Sequence, residues 1–412
     1  MIQKISIKNF LSFKEKTVFS FEASEDNFRA DTQVVKVAPG VRLLRFAAIY
    51  GANASGKSNF LKAVYFLQKF LFKDKDENGG IDYQTGVIPF LLDDKTKFES
   101  SEFEITFFVK RDTQTFIKYI YKLIVNSTTV FFEELCKGDS ATIVFQRKFA
   151  DGKFTTIYNF DINDTYKAVF DVTCRKNMSF FATYVNAEQN LPFDLEDLRL
   201  VKEYFQNFLP NITGKKDIYQ YSKDVLANDK EGILTKSVIN GFETSGLDNI
   251  NDISFKRNEK DGSIQDDYFI KVPANPNVYS LPGVLQSEGT KRYLSLKIIF
   301  DKLLKNNSFM IADELETAIH PDLFEKIVYD FLSAEKSCSQ LILTTHYSGL
   351  METINNLVRV DAIRFVEKQD DGSSALFSLA DFEDLEQFND KINTIYKAYR
   401  DGRFGAVANI KY

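Results

Sequence analysis

The chain lacks tryptophan and is poor in cysteine, histidine and proline, with three, two and eight of them in 412 residues. Cys136, Cys174 and Cys338 lie far apart and form no Cys-x-x-Cys pair, which argues against a disulfide framework and a zinc site. No apolar run approaches about 18 residues, so no transmembrane helix is expected. The N-terminal stretch alternates like a strand and has no signal-peptide core. We therefore expect a cytoplasmic protein with reduced thiols.

The charge balance is mildly acidic, with 58 Asp and Glu against 52 Lys and Arg and a net charge of −6. This balance argues against a surface that coats nucleic acid, although a local basic stripe is compatible with it. The hydrophobic fraction of 44% is ordinary for a globular protein, and the length permits two or three domains.

Strand-like and helix-like segments alternate at both ends of the chain. This alternation predicts an α/β fold with a parallel sheet and helices packed on it. We expect residues 1–130 and 279–412 to form one folded unit, and residues 131–278 to be an insertion that serves as a lid or partner-docking region. Residues 103–111 and 116–125 alternate well and predict an antiparallel strand pair.

The segment GANASGKS, residues 51–58, lies between a strand-like and a helix-like run. It fits G-x-x-x-x-G-K-[ST], in which glycines let the backbone wrap a phosphate at a helix start. Lys57 would reach the β- and γ-phosphates, and the Ser58 hydroxyl would ligate Mg²⁺. The alternative is a glycine-rich turn that matches by chance. The predicted nucleotide-binding set is Gly51, Asn53, Ala54, Ser55, Gly56, Lys57, Ser58 and Asn59.

Two acidic residues close a second apolar run. Residues 309–312 predict a buried strand that ends in Asp313 and Glu314. Neighbouring strand residues point to opposite faces, so we expect separate roles. Asp313 would hold Mg²⁺, and Glu314 would orient or deprotonate the attacking water. His346 ends another apolar run and is the candidate γ-phosphate sensor. The alternative is a pair of exposed acids and a structural histidine.

A further predicted helix begins within residues 285–300. Its start carries Ser287, Glu288, Gly289 and Thr290. A serine hydroxyl and a glycine backbone at a helix start can form a second anion site. The alternative is an ordinary helix cap.

The order of these motifs resembles the ABC-type ATPase head shared by structural-maintenance, RecF-like and OLD-like proteins. The resemblance implies a mixed sheet with helices, antiparallel N-terminal strands and a mid-chain insertion, with ATP and Mg²⁺ as ligands. It implies Walker A at 51–58, a signature at 287–291, Walker B at 309–314, a D-loop at about 315–321 and a switch histidine at His346. Glu288 departs from the family, which usually has a glycine there. We expect its carboxylate to point away from the phosphate or to slow turnover.

Other segments resemble bacterial single-chain ATPases of phage-defence and abortive-infection operons. They are DELETAIHP, THYSGLM and IYKAYRDGRFGAVANI. The last resembles the end of RloA-like ATPases that are paired with a separate RloB-like or TOPRIM-like effector. Only 66 residues follow His346, which is too few for a TOPRIM nuclease, so we expect an effector on another polypeptide.

In heads of this kind, the signature of one subunit faces the Walker A motif of another. The resemblance therefore implies a homodimer or higher oligomer that closes around ATP. Three readings stay open: an ATPase that controls a nuclease or toxin effector in antiviral defence, a RecF-like repair ATPase that binds DNA directly, and a scaffold that binds ATP without hydrolysis.

Overall fold

The computed structural model describes residues 1–73, 84–112, 115–188, 191–209, 215–258, 263–271, 277–352, 357–382 and 393–407. The strands are β1 (Ile2–Lys8), β2 (Thr17–Ser20), β3 (Val34–Ala38), β4 (Val41–Leu44), β5 (Phe46–Tyr50), β6 (Ser101–Lys110), β7 (Phe116–Val125), β8 (Val130–Lys137), β9 (Thr142–Ala150), β10 (Lys153–Tyr158), β11 (Ile250–Arg257), β12 (Ile264–Lys271), β13 (Val278–Pro282), β14 (Phe309–Asp313), β15 (Gln340–Thr344), β16 (Ile363–Lys368) and β17 (Ser374–Ser378). The α-helices are α1 (Ala30–Gln33), α2 (Lys57–Leu71), α3 (Asp164–Thr173), α4 (Phe180–Ala187), α5 (Glu196–Gln206), α6 (Lys215–Ala227), α7 (Ile233–Glu243), α8 (Glu288–Asn306), α9 (Pro321–Ser333), α10 (Gly349–Glu352) and α11 (Asn393–Arg400).

The larger sheet is antiparallel, with strand order β10-β9-β8-β7-β6-β1-β2. The predicted pair is confirmed, because β6 and β7 pair antiparallel with Phe103 opposite Leu123. Strands β8, β9 and β10 belong to this sheet together with β1, β2, β6 and β7, so the sheet extends past the predicted boundary at residue 130. The division of the chain into three regions stays a prediction.

The smaller main sheet has the order β14-β15-β5-β16-β17. Its first four strands are parallel, and β17 returns antiparallel to β16. Strand β5 is buried on both faces, as its apolar sequence FAAIY predicts. The predicted mixed α/β fold, with helices on a sheet and antiparallel N-terminal strands, is confirmed.

Alternation along β5 separates two hydrophobic cores. Ala47 and Ile49 face the core that contains residues of α2 and of the antiparallel sheet. Phe46, Ala48 and Tyr50 face the core that contains residues of α8 and α9. The carboxyl ends of the parallel strands are thereby held between two packed layers.

The middle of the chain is more regular than its sequence suggests. It contains helices α3 to α7 and a three-stranded antiparallel sheet of order β11-β12-β13. Helix α5 lies where helical spacing predicts it. Helices α6 and α7 pack on α8: Ser222 donates to the Ser295 carbonyl at 3.4 Å, and Tyr293 to the Gly241 carbonyl at 2.9 Å. No helix among the described residues combines the length and apolar composition needed to cross a bilayer.

One buried glutamine joins the two main sheets. Gln340, at the start of β15, is 1% exposed. Its amide donates to the Ile2 carbonyl at 2.9 Å and the Leu44 carbonyl at 3.0 Å, and its oxygen accepts from the Ile2 amide at 2.5 Å. Each of these backbone groups is buried, so removing the Gln340 side chain would lower the free energy of unfolding.

We predict that Gln340→Leu lowers the free energy of unfolding by about 3 kcal/mol, because three buried backbone groups lose their partner. Urea unfolding followed by circular dichroism measures the change. The matched control is Gln265→Leu, an exposed position in β12. Equal stability of the two variants would contradict this role for Gln340.

Candidate nucleotide-binding and catalytic site

The loop of residues 51–56 joins the end of β5 to the start of α2 and tolerates only glycine at two places. A Cβ on Gly51 would lie 2.3 Å from the Val366 carbonyl oxygen. Gly56 has a φ of 116°, and its Cβ would lie 2.2 Å from the Ser374 hydroxyl. The backbone therefore approaches its neighbours too closely for a side chain, as the phosphate-loop pattern predicts.

Lys57 begins α2 and is only 5% exposed. Its Nζ donates to the Gly51 carbonyl at 2.9 Å and the Ala52 carbonyl at 3.2 Å, and lies 3.1 Å from His346 Nε2. Burial lowers the pKa of Lys57, and the nearby carboxylates of Glu314, Asp313 and Glu316 oppose that shift. A buried ammonium with these partners favours the arrival of an anion.

The remaining predicted loop residues divide by exposure. Asn53 and Ala54 are exposed, whereas Ser58 is half-buried at the start of α2. Ser55 is 2% exposed, and its hydroxyl has no hydrogen-bond partner among the described residues. Asn59 donates from Nδ2 to the Ser12 hydroxyl at 3.0 Å. The orphaned Ser55 hydroxyl is a feature that a bound phosphate would satisfy.

Strand β14 ends at Asp313, and the chain turns at Glu314, whose φ is 48°. The expectation that strand alternation separates the two carboxylates is therefore wrong, because Glu314 lies beyond the strand in the left-handed region. Thr344 contacts both residues. Its hydroxyl donates to the Asp313 carboxylate, and the Glu314 amide lies 3.0 Å from its carbonyl oxygen.

His346 lies two residues beyond the end of β15, and its imidazole lies close to both Glu314 and Lys57. Its Nε2 is 3.4 Å from Glu314 Oε1 as well as close to Lys57. Its backbone amide donates to Glu316 Oε1 at 2.8 Å. The carboxyl ends of β5, β14 and β15 thus bring Lys57, Glu314 and His346 together. The catalytic roles predicted for Glu314 and His346 stay predictions.

The predicted signature residues form the first turn of α8. Ser287 is the helix cap, and its hydroxyl accepts from the Thr290 amide at 3.1 Å. Gly289 lies near Ala318: a Cβ added to Gly289 would be 3.8 Å from the Ala318 carbonyl oxygen. Glu288 is exposed and pairs with Lys291 at 3.2 Å. The Ser287 hydroxyl is engaged in capping the helix, but Ser287 is exposed and accessible to a ligand. Its role as an anion ligand stays a prediction.

Helix α8 also reaches the loop that follows β14. Arg292 is 8% exposed and donates from Nη2 to the Leu315 carbonyl at 3.2 Å. Burial lowers its pKa, an effect that nearby Glu316 opposes. Arg292 Nε and Nη1, and Glu316 Oε2, have no hydrogen-bond partner among the described residues. Helix α8 and the loop carrying Glu316 are therefore electrostatically connected.

The site fits a magnesium nucleotide better than a metal ion alone. Across the described residues, no group of three or more His, Cys, Asp or Glu side chains is arranged to hold a metal. Ser58 and Asp313 would supply oxygen ligands, and Mg²⁺ usually takes further oxygens from phosphate and water. The buried Lys57 ammonium and the orphaned Ser55 hydroxyl fit the phosphates themselves.

Three residues of this region were not singled out from the sequence. Thr344 was detectable, because it directly precedes the TH of the predicted histidine segment. Ser12 and Ser374 had no such signal, since they lie far from the loop in sequence. His320, the other histidine, caps α9, accepting from the Asp322 amide at 3.3 Å.

Residues 46–148 and 275–352 match the family model described as "AAA domain, putative AbiEii toxin, Type IV TA system". The matched segments make up less than half of the chain, so the match is a similarity and not a demonstration of membership. Together with the loop geometry, it supports an ABC-type P-loop ATPase. The pairing with an RloB-like effector stays a prediction. No curated protein shows significant similarity to the chain.

Solved structures with a similar fold include Smc head domains. An Smc head bound to the C-terminal winged-helix domain of ScpA is 16% identical, with a TM-score of 0.48, and covers 92% of this chain and 97% of its own. The SMC head domain from Thermotoga maritima is 17% identical, with a TM-score of 0.41 and coverage of 92% and 98%. An Smc head with an extended coiled coil, bound to the C-terminal domain of ScpA derived from Pyrococcus furiosus, is 16% identical, with a TM-score of 0.45 and coverage of 94% and 99%.

We predict that Gly56→Ala abolishes measurable Mg-ATP binding, because the new Cβ would meet two buried serine hydroxyls, at 2.2 Å and 2.7 Å. Isothermal titration calorimetry measures the loss. The control is Gly40→Ala, another glycine with a positive φ, 73°, but with open space where its Cβ would lie. Binding by the Gly56 variant at the strength of the Gly40 variant would contradict the tight fit.

Proposed function

We propose that this chain is a Mg-dependent ATPase that closes as a homodimer around ATP and thereby switches a separate effector, a nuclease or toxin, in antiviral defence. The observation that carries the proposal is the convergence of Glu314 and His346 on the buried Lys57 at the carboxyl ends of three neighbouring strands. Ligands of parallel α/β sheets bind at that edge.

Nucleotide binding follows from the state of Lys57. Its ammonium is desolvated and bound to backbone carbonyls, which cannot neutralise its charge. A β- or γ-phosphate would neutralise it at the amino end of α2, where the helix dipole also favours an anion. Asp313 and Ser58 would share the Mg²⁺ with that phosphate.

Hydrolysis would use the two side chains beside the lysine. Glu314 is half exposed, so its carboxylate can reach a water molecule on the open side of the site. His346 would contact the γ-phosphate and report its presence through the Glu316 carboxylate, which accepts from the His346 amide. Arg292 would extend that connection to the signature helix.

Dimerisation is supported by exposed apolar groups beside both halves of the proposed site. Val284 and Leu285, 79% and 66% exposed, lie three and two residues before the predicted signature serine, Ser287. On the other side, Leu92 is 68% exposed and approaches Gly372, two residues from the Ser374 that contacts the phosphate loop. In a two-fold dimer, each patch of one copy would meet the other patch of its twin.

The proposal of a separate effector rests on the sequence resemblance and on the toxin–antitoxin description of the similar family. The proposed switch needs two states that an effector can distinguish. ATP-bound closed and nucleotide-free open dimers would supply them, because a γ-phosphate contacted from both copies stabilises only the closed state.

We predict that Glu314→Gln lowers the steady-state rate of phosphate release by about 100-fold or more, because the water loses its base. The same variant should elute as a dimer in size-exclusion chromatography with Mg-ATP, and mostly as a smaller species without it. Light scattering gives the mass of each species.

Glu335→Gln is the control, because Glu335 is exposed and outside the site. Unchanged turnover and an unchanged mass for Glu314→Gln would instead support a scaffold without hydrolysis. Turnover that requires DNA and falls steeply with salt would support the RecF-like alternative.

A second prediction tests whether the signature acts across the dimer. Lys57→Ala and Ser287→Arg should each abolish turnover, but an equal mixture should recover about a quarter of the wild-type rate. The reason is that half of the dimers would be mixed, each with one intact composite site. Phosphate release from the mixture measures this, and a mixture as inactive as its components would contradict contact in trans.

A further inference from the structure

Two serines from distant parts of the chain meet behind the phosphate loop. Ser12, in the turn after β1, is 7% exposed, and Ser374, at the start of β17, is 6% exposed. Their hydroxyl oxygens are 2.8 Å apart. The Ser374 hydroxyl also lies 2.5 Å from the Ser55 carbonyl oxygen, and its amide donates to the Ser12 carbonyl at 2.7 Å.

Two side chains, Asn59 and Ser374, donate the side-chain hydrogen bonds of this cluster. The Asn59 side-chain amide donates to the Ser12 hydroxyl at 3.0 Å. The Ser374 hydroxyl is the donor in both of its contacts, to the Ser55 carbonyl at 2.5 Å and to the Ser12 hydroxyl at 2.8 Å. A hydroxyl has one proton, so these two acceptors share it. The contacts form one relay, in which Asn59 and Ser374 both donate to Ser12 and Ser374 also donates to Ser55.

This relay sets the orientation of one peptide group in the phosphate loop. The peptide bond between Ser55 and Gly56 is planar and trans, so its carbonyl and its N–H point in opposite directions. Because Ser374 holds the Ser55 carbonyl on the outer side, the Gly56 N–H is directed to the inner side of the loop. Successive inward amides are what bind a phosphate.

We infer that Ser374 and Ser12 are positioning residues for the phosphate groups of the bound nucleotide, acting through the Ser55–Gly56 peptide. The inference rests on the nucleotide binding proposed above. It adds that β16 and β17, which follow His346 in the chain, form part of the phosphate site. The Val366 carbonyl against Gly51 holds the other end of the same loop.

The neighbouring serine shows that the contact is specific to position 374. Ser373 is 8% exposed, close to the value for Ser374, but its amide and side chain bond to Asp371 within its own turn. Ser373→Ala therefore removes the same kind of group, next in sequence, without changing the relay.

The test measures binding of two probes by calorimetry: a non-hydrolysable Mg-ATP analogue, and inorganic tripolyphosphate, which has no base or sugar. Ser374→Ala should raise Kd about tenfold for both, as expected for one lost hydrogen bond that orients an anion ligand. Ser12→Ala should do the same. The Kd of the double variant should also rise about tenfold and not a hundredfold, because both changes break the same relay.

Ser373→Ala should bind both probes like the wild type, and circular dichroism should show that the nucleotide-free Ser374→Ala and Ser373→Ala proteins are both folded at the temperature of the titration. Unchanged affinity of Ser374→Ala, an additive double variant, or a loss for the ATP analogue but not for tripolyphosphate would each overturn the inference. If the wild type binds neither probe, the proposed function itself fails. If the wild type binds and Ser374→Ala binds equally well, only the positioning role fails.

Discussion

The buried ammonium of Lys57 is the constraint on which the site depends. It is held by the Gly51 and Ala52 carbonyls beside His346, in surroundings that lower its pKa. Carbonyl dipoles stabilise a cation without neutralising it, so Lys57 stays charged at a helix start, where the nearby carboxylates of Glu314, Asp313 and Glu316 also favour the ammonium form. A polyphosphate is the ligand that such a site fits best.

The fold brings the carboxyl ends of three parallel strands together at the edge of the sheet where Lys57 lies. Strand β5 leads into the glycine loop, β14 ends in Asp313, and β15 leads to His346. Parallel pairing sets the register of these ends, and the two cores on either face hold the strands in place. The loop after β14 then connects the site to helix α8, where Arg292 and Glu316 interact without forming an ion pair. In the proposed switch, the interaction between Arg292 and Glu316 would couple the nucleotide site to helix α8.

Contiguous patterns account for what the sequence could predict. The phosphate loop, the buried strands before Asp313 and His346, and helix α8 all rest on residues that are neighbours in the chain, so local spacing was enough. The left-handed turn at Glu314 was not predictable, because an apolar run does not show where a strand stops. Ser12 and Ser374 were missed because only the folded sheet brings them together. Ser287 illustrates a third case: a helix cap and an anion ligand need the same residue type, so the sequence left both open.

The central claim is that a triphosphate is bound by Lys57 of one copy and by Ser287 of its twin. The most direct measurement is the distance from the γ-phosphate to the partner's serine hydroxyl in an experimental structure of the Glu314→Gln protein with Mg-ATP. We expect a hydrogen-bond distance there, with Lys57 on the same phosphate from the other side. A nucleotide bound at Lys57 with Ser287 of both copies facing solvent would contradict the account.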